Sequence, residues 1–124
     1  MALTGEQVER FVADGFVKLE GAFSHEVGQR CRDELWAASG CDPHDPSSWT
    51  EPVIRLGGLS TTPFAEAATT SALHAAFDQL VGPGRWVPCA GLGTFPLRFP
   101  HPEEPGDDGW HVDASYAGRA AKLG

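Results

Sequence analysis

Proline and glycine are unevenly distributed along this chain, and their distribution limits which parts of it can form helices or central strands. Ten prolines and fifteen glycines occur among 124 residues, and they gather between residues 40 and 110 rather than in the first 38. Proline lacks the backbone N–H that helices and central strands use, and glycine favours turns. Helices are therefore expected at the start of the chain, and the middle is expected to be rich in loops.

Length and composition restrict the class of protein. A chain of 124 residues, 41% apolar and 21% charged, is long enough for one small globular domain. Its formal net charge of −8 would repel a phosphate backbone, and no apolar run approaches the length of a membrane helix. We therefore expect a cytoplasmic protein that binds neither nucleic acid nor a membrane. Cys31, Cys41 and Cys89 are widely spaced and are expected to be free thiols.

Short-range signals predict two helices near the start of the chain. Thr4 followed by Gln7 makes a capping box, and apolar residues then repeat at helical spacing. Ser24 can cap a second helix, which Gly40 ends. Between the two helices, the segment "FVKLEGAF" at residues 16–23 is rich in aromatic and β-branched residues. This composition predicts a short strand.

The remainder of the chain alternates between loops, helices and strands. Three prolines make the segment 41–52 a surface loop, and "VIRLGG", which begins at Val53, predicts a strand. Apolar residues within 62–82 favour one or two helices that end at Gly82. After Trp86 the residues are those of strands and turns. Helices followed by the opening of a β-domain predict the α+β class.

The residues with the clearest chemical potential are His111 and Asp113. Residues i and i+2 of a strand point to the same side, so this spacing presents an imidazole and a carboxylate to one spot while Val112 points away. A nitrogen donor beside a carboxylate suits Fe(II), and a set of two histidines and one carboxylate leaves positions open for a co-substrate and oxygen. We therefore predict that His111 and Asp113 are metal ligands, and we predict no further catalytic residue.

Longer segments around this pair resemble a known family. "LVGPGRW", "LGTFPLRFP" and "RFPHPEEPGDDGWHVDASY", together with the N-terminal "LTGEQVERFVADGFVKLEGAFS", resemble the phytanoyl-CoA dioxygenase family over about residues 3–116. The resemblance implies a double-stranded β-helix, the cupin-like jelly roll, that binds Fe(II) and 2-oxoglutarate. It implies hydroxylation of a small organic substrate with loss of carbon dioxide. His111 and Asp113 match the proximal two iron ligands of that family.

The sequence departs from the family pattern after Asp113. The family needs a second, distal histidine and then an arginine that pairs with 2-oxoglutarate. The segment "ASYAGRAAKLG" contains no histidine, and Arg119 lies only six residues past Asp113. Eight jelly-roll strands would also need more residues than follow the first ligand strand. We therefore expect one partial oxygenase domain over 1–124, mainly helical over 1–82, with the start of the β-helix core over 83–124.

This departure leaves a second interpretation open. A truncated relative without the distal histidine and arginine would be inactive, and these 124 residues alone are expected not to turn over 2-oxoglutarate. A sheet cut within a jelly roll would also expose an unpaired edge, which favours self-association. The alternative to an enzyme with a small-molecule substrate is therefore an inactive, binding or self-associating fragment.

Two other histidines are weaker metal-ligand candidates. His101 lies ten residues before His111, beyond a glycine-rich turn, and could fold back as a third ligand. His44 stands beside Asp42 and Asp45 and could bind a metal weakly. In both cases a structural or solvated histidine is the alternative.

Arginines and tryptophans complete the candidates. Arg55 and Arg98 lie in predicted strands, where an inward guanidinium could hold a carboxylate of the co-substrate or substrate bidentately. An outward, solvated arginine is the alternative. The four tryptophans are expected to serve packing, with Trp110 on the side of its strand opposite His111.

Overall fold

Helices and strands both occur in the computed structural model of the chain, which describes residues 2–111. The elements, in chain order, are α1 (Gly5–Asp14), α2 (His25–Ser39), a 3₁₀ turn (Pro46–Ser48), β1 (Val53–Leu56), α3 (Thr62–Ala68), α4 (Ser71–Val81) and β2 (Phe95–Arg98). The prediction of an α+β chain is therefore confirmed. Within these residues no helix is long and apolar enough to cross a membrane.

The predicted helix ends are present. The Thr4 hydroxyl accepts a hydrogen bond from the Gln7 backbone N–H over 3.2 Å, and the Gln7 side chain accepts one from the Thr4 N–H over 2.9 Å. This is the capping box expected for α1. Ser24 caps α2 through the Val27 N–H, and Gly40 ends that helix in the left-handed conformation at φ +71°. Local sequence alone determines these ends.

The strand predicted for residues 16–23 is wrong. The segment forms a loop between α1 and α2, and the Phe16 side chain is 70% exposed. A strand requires a neighbour to complete its backbone hydrogen bonds, and within residues 2–111 the sheet contains β1 and β2 alone. Aromatic and β-branched composition therefore did not suffice for a strand here.

The sheet is a two-stranded antiparallel pair with two different faces. Ile54 lies opposite Leu97 and Leu56 lies opposite Phe95, so these four apolar residues share the inner face of the sheet. The inner face is directed toward the core, where Phe95 packs. The opposite, outer face carries the remaining residues of the register, which are Val53, Arg55, Pro96 and Arg98.

Phe64 of α3 is the centre of the core. It is fully buried and packs in one cluster with Cys31 of α2 and Ala67. Its ring also contacts the Phe95 ring of β2, with the ring centroids 5.5 Å apart. Val27 and Leu35 of α2 cover the same cluster, as their spacing with Cys31 along the helix requires. One phenyl ring thus joins two helices to the sheet.

The sheet links the two regions that the sequence separates. β1 belongs to the mainly helical region 1–82 and β2 to the region 83–124, and the two strands pair along their whole length. A bridge between Leu59 and Leu92 extends this connection. Gly91 is required beside it, because a Cβ atom there would lie 2.6 Å from the Leu59 carbonyl oxygen. Self-association through an outer strand edge stays a prediction.

Removing the Phe64 ring tests the assignment of the core. Phe64→Ala should lower the free energy of unfolding by about 3–5 kcal/mol, because it leaves a cavity among packed side chains. The exposed Phe16 provides a matched control, and Phe16→Ala should change stability by no more than about 0.5 kcal/mol. Urea unfolding followed by circular dichroism measures both variants. Equal losses in the two would contradict this core.

Candidate functional site

Two arginines from neighbouring strands bind a single carboxylate on the outer face of the sheet. Arg98 holds Asp107 bidentately, with Nη1 donating to Oδ1 and Nη2 donating to Oδ2, each over 2.9 Å. Arg55 donates from Nη2 to the same Oδ2 over 2.7 Å. Three charge-assisted hydrogen bonds therefore fix one carboxylate, and we call this group the Arg55–Arg98–Asp107 cluster.

Strand register and one turn assemble this cluster. Arg55 lies opposite Pro96 and Arg98 lies opposite Val53, so both guanidinium groups leave the sheet on its outer face. The chain after β2 then brings Asp107 onto that face. Gly106 precedes it at φ +69°, a conformation that side chains with a Cβ rarely adopt. The sequence predicted two strand arginines that could hold a carboxylate, and the structure supplies that carboxylate from the chain itself.

Asp107 and Arg98 shift each other's pKa. Hydrogen bonding from the Arg98 guanidinium holds the pKa of the Asp107 carboxyl below its ordinary value, and the charges of Arg98 and Arg55 act in the same direction. Partial burial opposes this effect, since the Asp107 side chain is only 19% exposed. Asp107 in turn raises the pKa of Arg98. The carboxylate is therefore ionised throughout the physiological pH range.

His111 follows this cluster by four residues and lies at the end of the described chain. Its Nδ1 is 3.1 Å from the Gly109 carbonyl oxygen. Because a carbonyl oxygen only accepts, Nδ1 carries the proton of that bond, and in the neutral ring the lone pair is on Nε2. This is the tautomer in which a histidine binds a metal through Nε2. Asp113, the other predicted ligand, lies outside the described residues.

The expectation that Trp110 serves packing, on the side of its strand opposite His111, is wrong. Its side chain is fully exposed, with a relative accessibility of 106%. The residues just before it, Asp108 and Gly109, are exposed as well, so they bring no covering element to the indole. Trp36, Trp49 and Trp86 are partly buried and contact other rings, as expected.

His101 is a structural residue in this fold, which argues against its alternative role as a third metal ligand. Its Nδ1 accepts a hydrogen bond from the Glu103 N–H over 3.0 Å, so the neutral ring carries its proton on Nε2. That nitrogen lies 3.1 Å from the Thr50 carbonyl oxygen, to which it donates. Both ring nitrogens are therefore used, and the ring ties the loop 41–52 to the segment after β2.

The alternative metal site around His44 is also absent from the described part of the chain. No group of three or more histidine, cysteine or acidic side chains there could hold a metal ion, and Asp42, His44 and Asp45 all belong to that part. The Asp45 carboxylate instead accepts hydrogen bonds from the Ser47 hydroxyl and N–H. These bonds lower the pKa of the Asp45 carboxyl and cap the 3₁₀ turn.

Two cavities lie beside α2, and Arg32 and Leu35 of that helix line both of them. A cavity of about 690 Å³ lies between α2, the loop before it and β2, and its wall includes the buried Cys31 thiol. Burial raises the pKa of that thiol, so it is a weak nucleophile. A second cavity, of about 440 Å³, is lined by residues of α2, the loop 41–52 and the end of β2, among them the aromatic Trp36, Trp49 and Phe99. Sequence reasoning did not anticipate this second cavity.

No protein-family model, curated protein or solved structure matches this chain. The functional argument therefore rests on the residues and on their geometry. Of the two predicted metal ligands, the described chain contains His111, whose Nδ1 lies 3.1 Å from the Gly109 carbonyl oxygen. The donor chemistry of His111 with Asp113 fits Fe(II), although a single member of the pair is described.

Asp107→Asn tests whether the cluster attaches the segment 101–109 to the sheet. The substitution removes the charge that the two arginines share, so amide protons of this segment should exchange with solvent faster than in the parent chain. Hydrogen exchange monitored by NMR measures this, and the neighbouring Asp108→Asn is the matched control. Equal protection in Asp107→Asn and the parent chain would contradict the assignment.

The same cluster predicts a pH dependence with a definite sign. Folding lowers the pKa of Asp107, so its contribution to stability is present above the ordinary carboxyl value of about 4 and is lost as the pH falls through the lower, folded value. In the parent chain the NMR signals of the Arg98 guanidinium should therefore change as the Asp107 carboxylate is protonated in acid. In Asp107→Asn this change should be missing, and its persistence would contradict the account.

Proposed function

We propose that this chain carries the proximal part of the iron site of a non-haem Fe(II) and 2-oxoglutarate-dependent dioxygenase of the phytanoyl-CoA dioxygenase type, with His111 and Asp113 as the two proximal ligands. The proposal includes a jelly-roll core to which β1 and β2 contribute. Its substrate would be a small organic molecule that is hydroxylated. The observation that carries the proposal is the position of His111, directly after a segment that the Arg55–Arg98–Asp107 cluster ties to the outer face of the sheet.

The backbone that carries a metal ligand must be fixed if the ligand is to bind a metal tightly. Metal affinity depends on groups beyond the ligands that fix ligand orientation. Asp107 is attached to both strands by three hydrogen bonds, and the Gly109 carbonyl accepts from His111 Nδ1 over 3.1 Å. Together these contacts set the position of the backbone before His111 and the tautomer of its ring.

Iron with 2-oxoglutarate would supply the oxygen activation, and the chain would supply donors, orientation and exclusion of water. His111 would bind through its Nε2 lone pair. Asp113 would bind as a carboxylate. Arg55 and Arg98 act first as positioning residues through Asp107. Arg55 uses one of its N–H groups in that contact, and its guanidinium has further donors with which it could hold the co-substrate carboxylate.

Fe(II) binding under anaerobic conditions tests the proposal independently of turnover. Equilibrium dialysis of the parent chain should show one bound ion, and His111→Ala should weaken binding by at least about tenfold, because it removes a direct ligand. His44→Ala is the matched control, since His44 is exposed and lies near Asp42 and Asp45 in the chain. It should bind Fe(II) like the parent chain.

Two outcomes would contradict the proposal. Unchanged affinity in His111→Ala would show that this imidazole is no ligand. Loss of binding in His44→Ala with retention in His111→Ala would place the ion in the loop 41–52 instead. Circular dichroism of each variant verifies that the fold is intact, so that a change in affinity reports the site itself.

A further inference from the structure

The cavity of about 440 Å³ has an aromatic wall built from three different parts of the chain. Trp36 comes from α2, Trp49 from the loop 41–52 and Phe99 from the end of β2. The ring centroids are 6.1 Å apart for the two tryptophans, 6.0 Å for Trp36 and Phe99, and 5.7 Å for Trp49 and Phe99. The three rings thus pack against one another in this wall, with interplanar angles of 32°, 62° and 38°, and we call this cavity the aromatic cleft.

The wall of the aromatic cleft is held in place by hydrogen bonds. The Trp49 indole N–H donates to the Asp42 carbonyl over 2.9 Å. The Ser48 hydroxyl accepts from the Asp42 N–H over 2.9 Å and donates to the Asp45 carbonyl over 2.7 Å, which closes the loop on itself. A ring that is already fixed loses little conformational freedom when a ligand stacks on it.

Arg32 places a positive charge at the rim of this cleft. It lines the cleft from α2, and its Nη2 donates to the neutral Gln29 side chain over 2.8 Å. Among residues 2–111, Arg32 makes no ion pair, whereas Arg30, two residues earlier, is paired with Glu66. A guanidinium without a carboxylate partner is available to an external anion, and it stands out in a chain of net charge −8.

We propose that the aromatic cleft is a binding site for a small planar aromatic carboxylate. The ring system would lie on the surface formed by Trp36, Trp49 and Phe99, and the carboxylate would bind Arg32. The volume falls within the range of about 300–1,000 Å³ that is typical of small-molecule sites. Stacking on aromatic rings selects a flat apolar body, and the guanidinium fork selects a carboxylate.

The groups that would bind the ligand in this cleft differ from those of the proposed iron site. Arg98 also lines the cleft, but its guanidinium is bound to Asp107, whereas the proposed ligand contacts are Arg32 and the rings of Trp36, Trp49 and Phe99. The inference therefore does not depend on the proposed function. Binding to the cleft can be measured without metal, so that failure of one proposal leaves the other standing.

Titration with 2-naphthoate, in metal-free buffer, tests the inference. Tryptophan fluorescence should be quenched with saturation, because Trp36 and Trp49 form the wall, and calorimetry should give one site. Arg32→Gln should weaken binding by at least about tenfold, the effect expected from losing a charge-assisted hydrogen bond. Arg85→Gln is the matched control, because Arg85 is also exposed, makes no ion pair within residues 2–111 and does not line the cleft.

Comparison with the neutral analogue 2-naphthalenemethanol shows whether the cleft recognises the carboxylate or only the aromatic rings. The alcohol should bind more weakly than the carboxylate by a similar factor, and Arg32→Gln should not change its affinity. Absence of saturable 2-naphthoate binding would overturn the proposal. Equal affinities of the parent chain and Arg32→Gln, or of the acid and the alcohol, would overturn it as well.

Discussion

Burial of the Phe64 ring between α2 and the sheet is the interaction on which the rest of this structure depends. The ring has no solvent exposure and touches Phe95 at a centroid distance of 5.5 Å, with Cys31 in the same cluster. It decides which face of the two-stranded sheet points inward. Because side chains alternate along a strand, the same contact directs Arg55 and Arg98 outward.

Both sites follow from that orientation. On the outer face the two guanidinium groups bind Asp107, which precedes His111 by four residues. On the inner side Phe99 continues the alternation and meets Trp36 and Trp49. His101 connects the two sides, because its ring joins the loop that holds Trp49 to the segment that holds Asp107.

Features governed by near neighbours could be predicted from the sequence. The capping box of Thr4 and Gln7 and the left-handed Gly40 depend on a few residues each, and both are confirmed. The strand expected at residues 16–23 is wrong, because a strand depends on a partner that composition does not reveal. Contacts between residues far apart in the sequence could likewise not be predicted, and Asp107 is 52 residues from Arg55. Charge complementarity between "PGDDGW" and the strand arginines was the available signal for that contact.

Tryptophan illustrates the same limit. All four were expected to pack, and Trp36 and Trp49 do so while forming the wall of a cleft that no short motif encodes. Trp110 is fully exposed. Whether an indole is covered depends on elements far away in the sequence, so residue type alone did not distinguish these positions.

The central claim is that a metal ion binds beside His111, and paramagnetic broadening by Mn(II) tests it most directly. Mn(II) favours oxygen donors such as carboxylates in an octahedral site, and it broadens NMR signals of nuclei near it. The account predicts that amide signals of Gly109, Trp110 and His111 broaden first as Mn(II) is added. Broadening that begins at residues 42–45, or that is uniform over the acidic surface, would contradict it.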